Sequence, residues 1–75
     1  MATEHFTSPG KESFWINNRE YYCIVKRNIY GAYSARVEDW RGVVIAQSVI
    51  SWGRVSDAWA WAVGSLSNHI SGLLR

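Results

Sequence analysis

The chain has 75 residues, 48% of them hydrophobic and 15% aromatic, with a formal net charge of +2. That length accommodates one domain whose core leaves only a few kcal/mol of net stability. Five Trp and four Tyr supply the apolar bulk, because each buried aromatic removes roughly 150–250 Å² from water. The single cysteine, Cys23, excludes an internal disulfide, and so small a charge excludes any argument for a nucleic-acid partner from net electrostatics alone.

Residues 1–12 are polar, carry the one proline, Pro9, before Gly10, and show no periodicity. They read as a flexible N-terminal tail, with the domain proper spanning residues 13–75. The first residues have neither the basic start nor the apolar segment of a secretory signal. Cys23 lies in the apolar run 21–25 and reads as a buried thiol in a reducing compartment, so the expected location is cytoplasmic.

From Phe14 onward β-branched and aromatic residues come in short runs, which predicts strands near 20–27, 31–38 and 43–51. Residues 14–18 (FWINN) form either a fourth short strand or a segment lying over the sheet edge. Asn28–Gly31 and Glu38–Gly42 are the turns, with Gly42 able to supply the positive φ of a hairpin loop. Connections this short join sequential strands as an antiparallel meander. In the second run Tyr33, Ala35 and Val37 share one face and Ser34, Arg36 and Glu38 the other. The third run mixes parities, Val43, Ile45 and Val49 against Val44, Ala46, Ile50 and Trp52, so it is buried on both faces or carries a bulge.

Ser56 is the expected helix N-cap, and Asp57 sits where the helix dipole favours an anion. Residues 58–74 then run without a formal charge. Trp59, Val63, Leu66, Ile70 and Leu73 fall on one arc, with Ala62 and Leu74 at its margins, the spacing of a core-facing stripe. The far side holds Trp61, Ser65, Asn68 and Gly72 beside the small residues Ala60, Gly64, Ser67 and Ser71. Gly64 costs about 1 kcal/mol of helix propensity relative to Ala, for which the expected return is close approach of the chain's own sheet or of a second chain. Trp61, Gly64, Asn68 and Gly72 are accordingly the expected partner-binding residues, since aromatics are enriched and charges depleted at interface centres. The plainer alternative is a solvated helix with one exposed aromatic. The stretch is shorter than the ~20 apolar residues of a membrane span and lacks the Lys/Arg-rich face of an interfacial helix, so no membrane contact is expected.

The order strand, strand, strand, helix is an α+β domain: a three-stranded antiparallel meander, four-stranded if residues 14–18 join it, with one C-terminal helix packed on one face. The run YCIVKRNIYGAYSARVEDWRG, followed by a strand and then GRVSDAWAWAVGSL, resembles the small sheet-and-helix domain of HicB-type antitoxins. Gly31, Tyr33, Ala35, Asp39, Gly42, Asp57 and Ala58 carry the resemblance over roughly residues 21–70. The chain departs from the family pattern in lacking the turn's proline and in its longer third strand. The resemblance implies a protein that masks a partner's working surface; the DNA-binding segment common in that family is absent from the matched region. The same element order is similar to the core of double-stranded-RNA-binding domains without their first helix.

An inventory of catalytic groups yields no motif. His69 lies beside the apolar arc, Glu38 and Asp39 are adjacent in a turn, and no Ser, Cys or carboxylate is spaced to work with either. One Cys and two distant His give no zinc spacing, and the glycines form no phosphate loop. The expectation is a non-enzyme without cofactor or metal. Two functions remain. The first is a protein-binding module, an inhibitor or antitoxin-like protein of the kind phages also encode, whose partner is another protein, a second copy through the helix, or both. The second is nucleic-acid binding, with Lys26, Arg27, Arg36 and Arg41 meeting phosphates and Trp40 or Tyr22 stacking on a base. Glu20, Glu38 and Asp39 interrupt that basic set and favour the first reading.

Overall fold

A computed structural model of the chain describes residues 7–73; residues 1–6 of the expected tail and Leu74 of the expected helix stripe lie outside the described residues. Four strands, β1 (Gly10–Ile16), β2 (Arg19–Arg27), β3 (Tyr33–Glu38) and β4 (Val44–Gln47), precede one helix, α1 (Val55–Leu73). The strands form one antiparallel sheet in the order β1-β2-β3-β4, and α1 packs on one face of it. The architecture is therefore the α+β arrangement that the sequence predicts, in its four-stranded form.

β1 begins at Gly10, inside the segment that composition assigns to the tail, and takes in the first three residues of FWINN. The remaining two make the hairpin: Asn17 and Asn18 have φ of 54° and 63°, and Ile16 pairs with Arg19 across them. A two-residue loop with both central residues at positive φ matches the right-handed twist of its strands, and Asn enters that region at little cost.

On the helix side the sheet contributes Tyr21, Cys23 and Val25 from β2 and Ala35 and Val37 from β3, all buried. The third predicted strand is shorter than expected and contains the bulge. Its register shifts between Val37 and Glu38, which lets consecutive Ile45 and Ala46 both pack against the core. Pairing ends at Gln47. Ser48 still bonds Ala35 through its amide, but Tyr33 next pairs with Trp52, so the chain between them loops out.

The helix faces differ from the expected stripe. Ala58, Trp59, Ala62 and Leu66 are buried, whereas Val63 and Leu73 are exposed. The helix is rolled by less than one residue step (~100°) so that its alanines lie against the sheet. Large sheet side chains meet small helical ones there, which permits close packing; the expected stripe has Ala62 only at its margin and leaves out Ala58, yet both are fully buried. Ser56 falls inside the helix rather than ahead of it, so it is not the N-cap. Nothing approaches within 4 Å of where a Cβ on Gly64 would stand; Gly64 therefore does not bring the sheet close. Trp59 is held at its polar edge as well, its Nε1 donating to the Ser8 carbonyl at 2.9 Å. No helix among the described residues is long and apolar enough to cross a membrane.

This packing predicts that Leu66→Ala lowers stability by about 2–5 kcal/mol, as large-to-small core changes do, while Val63→Ala changes it by no more than about 0.5 kcal/mol. Urea denaturation of the two variants measures the difference directly.

Candidate functional site at one end of the sheet

The connection from β2 to β3 and the connection from β4 to α1 meet at one end of the sheet. The first is built around Asn28, whose Oδ1 accepts the amides of Tyr30 and Ala32 at 2.9 and 3.0 Å. Gly31 closes the turn at φ 80°, its amide donating to the Asn28 carbonyl at 3.1 Å. The residues between, Ile29 and Tyr30, are held outward. The second connection leaves the sheet at Ser48, whose Oγ accepts the Ala35 amide at 3.0 Å, and returns at Trp52, looping out Val49, Ile50 and Ser51.

Ile29, Tyr30, Val49 and Ile50 are consequently 91, 87, 99 and 59% exposed. Single exposed apolar residues are ordinary on protein surfaces, but a group of them at one site is the mark of an interaction surface. Lys26, Arg27 and Arg54 belong to the same end, and among the described residues none of the three forms an ion pair. Residues 25–34 and 46–56, which build this end, contain no Asp or Glu. The site is an apolar tip with a positive rim.

At the opposite end Trp40, Val43 and Val44 are partly exposed, at 40, 49 and 46%, around a turn closed by a buried carboxylate. Asp39 is buried, and its Oδ1 accepts the amides of Arg41 and Val43 at 2.8 and 3.0 Å. Its Oδ2 accepts Arg41 Nε at 3.0 Å and Nη2 at 2.7 Å. Burial pushes the carboxyl up, but the Arg41 side chain, the amides of Val43 and Arg41 and the guanidinium charge outweigh it and hold Asp39 below its ordinary value. Trp40 is flanked by guanidinium groups, with Arg19 4.0 Å and Arg41 4.9 Å from its ring centre, and its ring also meets Tyr21 edge-on.

The expected partner-binding residues divide. Trp61 is half-buried and its ring lies 5.8 Å from that of Trp52, so it packs within the chain, beside the loop that carries Val49 and Ile50. Gly64, Asn68 and Gly72 are exposed further along α1. The five expected phosphate or acidic-partner contacts do not converge. Lys26 and Arg27 sit at the tip, whereas Trp40 and Arg41 sit in the turn at the far end. Arg36, on the face away from the helix, is bonded to Glu38 at 2.7 Å. Tyr22 is covered by Lys11, 4.3 Å from its ring centre; its hydroxyl donates to Glu20, and that bond, then burial and the charges of Glu20 and Glu38, raise its pKa.

Ile29, Tyr30, Val49 and Ile50 are the residues that reading the sequence for strands and helix stripes passes over. A signal existed for the first pair, since Asn-Ile-Tyr-Gly places two large apolar residues at the centre of a turn. Among the described residues no three of His, Cys, Asp and Glu group to hold a metal. His69 packs on Tyr21, ring centres 6.2 Å apart, and Cys23 is fully buried, its thiol pushed up to about 11 by burial.

Because the folded state depresses the Asp39 pKa, this carboxylate stabilises the fold above its ordinary value of 3.8, and the contribution is lost as pH falls through the lower folded value. Asp39→Asn should therefore be destabilising at neutral pH, and the gap from the unmodified chain should narrow below 3.8, as denaturation midpoints measured across pH would show. For Cys23 the sign is opposite. Its raised pKa favours the neutral thiol of the folded state, so at pH 8 a thiol reagent should react only as fast as the protein opens, and promptly in denaturant.

No family model, curated protein or solved structure matches this chain.

Proposed function

We propose that this protein is a small non-catalytic binding module that docks on another protein through its apolar tip and blocks the surface it covers, in the manner of an inhibitor or antitoxin. The observation that carries this reading is the grouping of Ile29, Tyr30, Val49 and Ile50, all exposed, within a rim of cations that form no ion pair among the described residues. An interface with this character has an apolar centre and charges at its edge, and the complementary surface is an apolar pocket bordered by Asp or Glu. The positive rim speeds and orients the encounter, while the apolar centre supplies affinity. Trp61 packs on Trp52, where the Val49–Ile50 loop rejoins the sheet, which gives Trp61 a supporting role in place of the anchoring one that its helical position suggests. HicB-like masking of a partner is the same class of action, and the resemblance adds to this reading without specifying the partner. The reduced charge set available for phosphates, with Arg36 and Arg41 already paired to carboxylates, weakens the nucleic-acid alternative.

Ile29→Asp and Val49→Asp alter side chains that contribute almost nothing to the core, so circular dichroism and thermal melting should be unchanged. Each should weaken a captured partner by about 2 kcal/mol or more, roughly thirtyfold, as loss of a central contact does. Gly64→Ala is the control. It should stabilise α1 by up to about 1 kcal/mol and leave capture intact. Partner loss in Gly64→Ala with retention in both tip variants would move the binding surface to the helix. Salt-sensitive binding of RNA or DNA, unchanged by either tip variant, would replace the reading with the nucleic-acid one.

A further inference from the structure

The two edges of the sheet are treated differently. β4 is four residues long, is interrupted by the register shift at Val37/Glu38 and leaves the sheet at Ser48. Short, irregular edges of that kind resist pairing with other chains. β1 is seven residues long, holds unbroken register with β2 from Gly10 to Ile16 and contains neither proline nor bulge, its only charges being Lys11 on the face away from α1 and Glu12 on the inner face. Its other side has no strand partner among the described residues. α1 lies over β2 and β3, so the inward residues of β1, Glu12, Phe14 and Ile16, are only half-buried. Two grooves of about 330 and 260 Å³ open along this flank. They share Val63, the first running past Trp59 and Ala60 and the second between Phe14, Ile16 and Ile70.

We propose that the chain forms a two-fold dimer in which β1 pairs antiparallel with β1 of a second copy, joining two four-stranded sheets into one of eight strands. The strand is complementary to itself. With Ser13 on the two-fold axis, Gly10 faces Ile16 of the second copy, Lys11 faces Trp15, and Glu12 faces Phe14. On the face away from the helices, Lys11 of the second copy, exposed Trp15 and Glu20 then lie in one row, because Trp15 already pairs with Glu20 across β1 and β2. The Lys11 ammonium of the second copy meets the Trp15 ring in that row, a cation–π contact, with the Glu20 carboxylate next along it as a longer-range opposite charge. Lys11 already rests on an aromatic ring in the single chain, that of Tyr22. On the helix side Phe14 and Ile16 of both copies line one trough between the two helices, with each Glu12 beside Phe14 of the other copy, and the trough covers part of the open apolar flank. The contact is isologous and closed, so it stops at two copies.

Sedimentation equilibrium and a cysteine cross-link test this together. The unmodified chain should sediment at twice its monomer mass. Trp15→Lys changes an exposed side chain and sets Lys against Lys across the axis twice, so dimer affinity should fall about tenfold or more with the melting curve retained. Adding Lys11→Glu to Trp15→Lys should restore the dimer by pairing opposite charges. Ser13→Cys should oxidise to a covalent dimer, because an antiparallel pair on the axis puts the two Cα atoms about 4.5–5.5 Å apart, whereas native Cys23 is buried in the core. A chain monomeric at every concentration up to its solubility limit would overturn the proposal. So would a dimer that neither Trp15→Lys weakens nor Ser13→Cys traps. Ile29→Asp and Val49→Asp lie outside this contact and should leave the dimer intact, so failure here and failure of the tip reading are separable.

Discussion

One helix has to cover a sheet wider than itself. An α-helix with its side chains is about 10–12 Å across, while the outer strands of a four-stranded sheet stand about 14 Å apart and carry side chains beyond that. In this chain the mismatch is resolved toward the centre of the sheet and β4, because Ala58 and Ala62 are fully buried against β2 and β3. Those alanines let Trp59 and Leu66 settle into the sheet on one side of the contact line, with Trp61 on Trp52 at the other. β1 is left with a partly open inner face. The groove beside Val63, the half-burial of Phe14 and Ile16, and the unshielded edge are one consequence seen in three places.

The ends of the sheet are an equally unequal pair. At one end the chain spends a buried carboxylate on closing a turn: Asp39 gathers two amides and the Arg41 guanidinium, and the guanidinium groups of Arg19 and Arg41 lie over the Trp40 ring. A buried charge is tolerable there because every acceptor site finds a donor. At the other end the polar work is done by backbone and by Asn28 and Ser48, and the large apolar side chains are pushed into water. Burying such a side chain contributes about 1.5–3 kcal/mol, so a domain of this size forgoes appreciable stability by exposing four of them. The proposed partner would cover that surface.

The tip and the β1 edge are compatible as two contacts of one molecule. Antiparallel pairing reverses strand direction across the axis, so a β1-joined dimer would carry its tips at opposite ends of the extended sheet. Two identical tips on one rigid body could engage a partner that is itself repeated, with avidity set by their fixed separation.

Much of the fold is legible along the chain because it rests on local chemistry. The alternation of Tyr33, Ala35 and Val37 marks β3, the glycines of the two turns supply positive φ at 80° and 81°, and the uncharged run after Asp57 marks the helix. The same reading misplaces what depends on neighbours. Asn17–Asn18 is a turn only because β1 and β2 pair around it, so β1 could not be told from a segment lying over the edge, and Gly10–Glu12 looked like tail. The spacing of the largest apolar residues runs the helix stripe through Val63 and Leu73, yet the sheet buries Ala58 and Ala62 instead, since the space available beneath a helix is set by the side chains opposite. Exposure of Ile29, Tyr30, Val49 and Ile50 has no sequence pattern of its own: apolar residues carry the same letters whether a strand buries them or a loop projects them. By itself the sequence determined the element types and the absence of charge on the helix, because those follow from residues close along the chain. Which face of the helix is covered, which strand edge is open and which end of the sheet presents its apolar residues were decided by tertiary packing, because each depends on contacts between residues far apart in sequence.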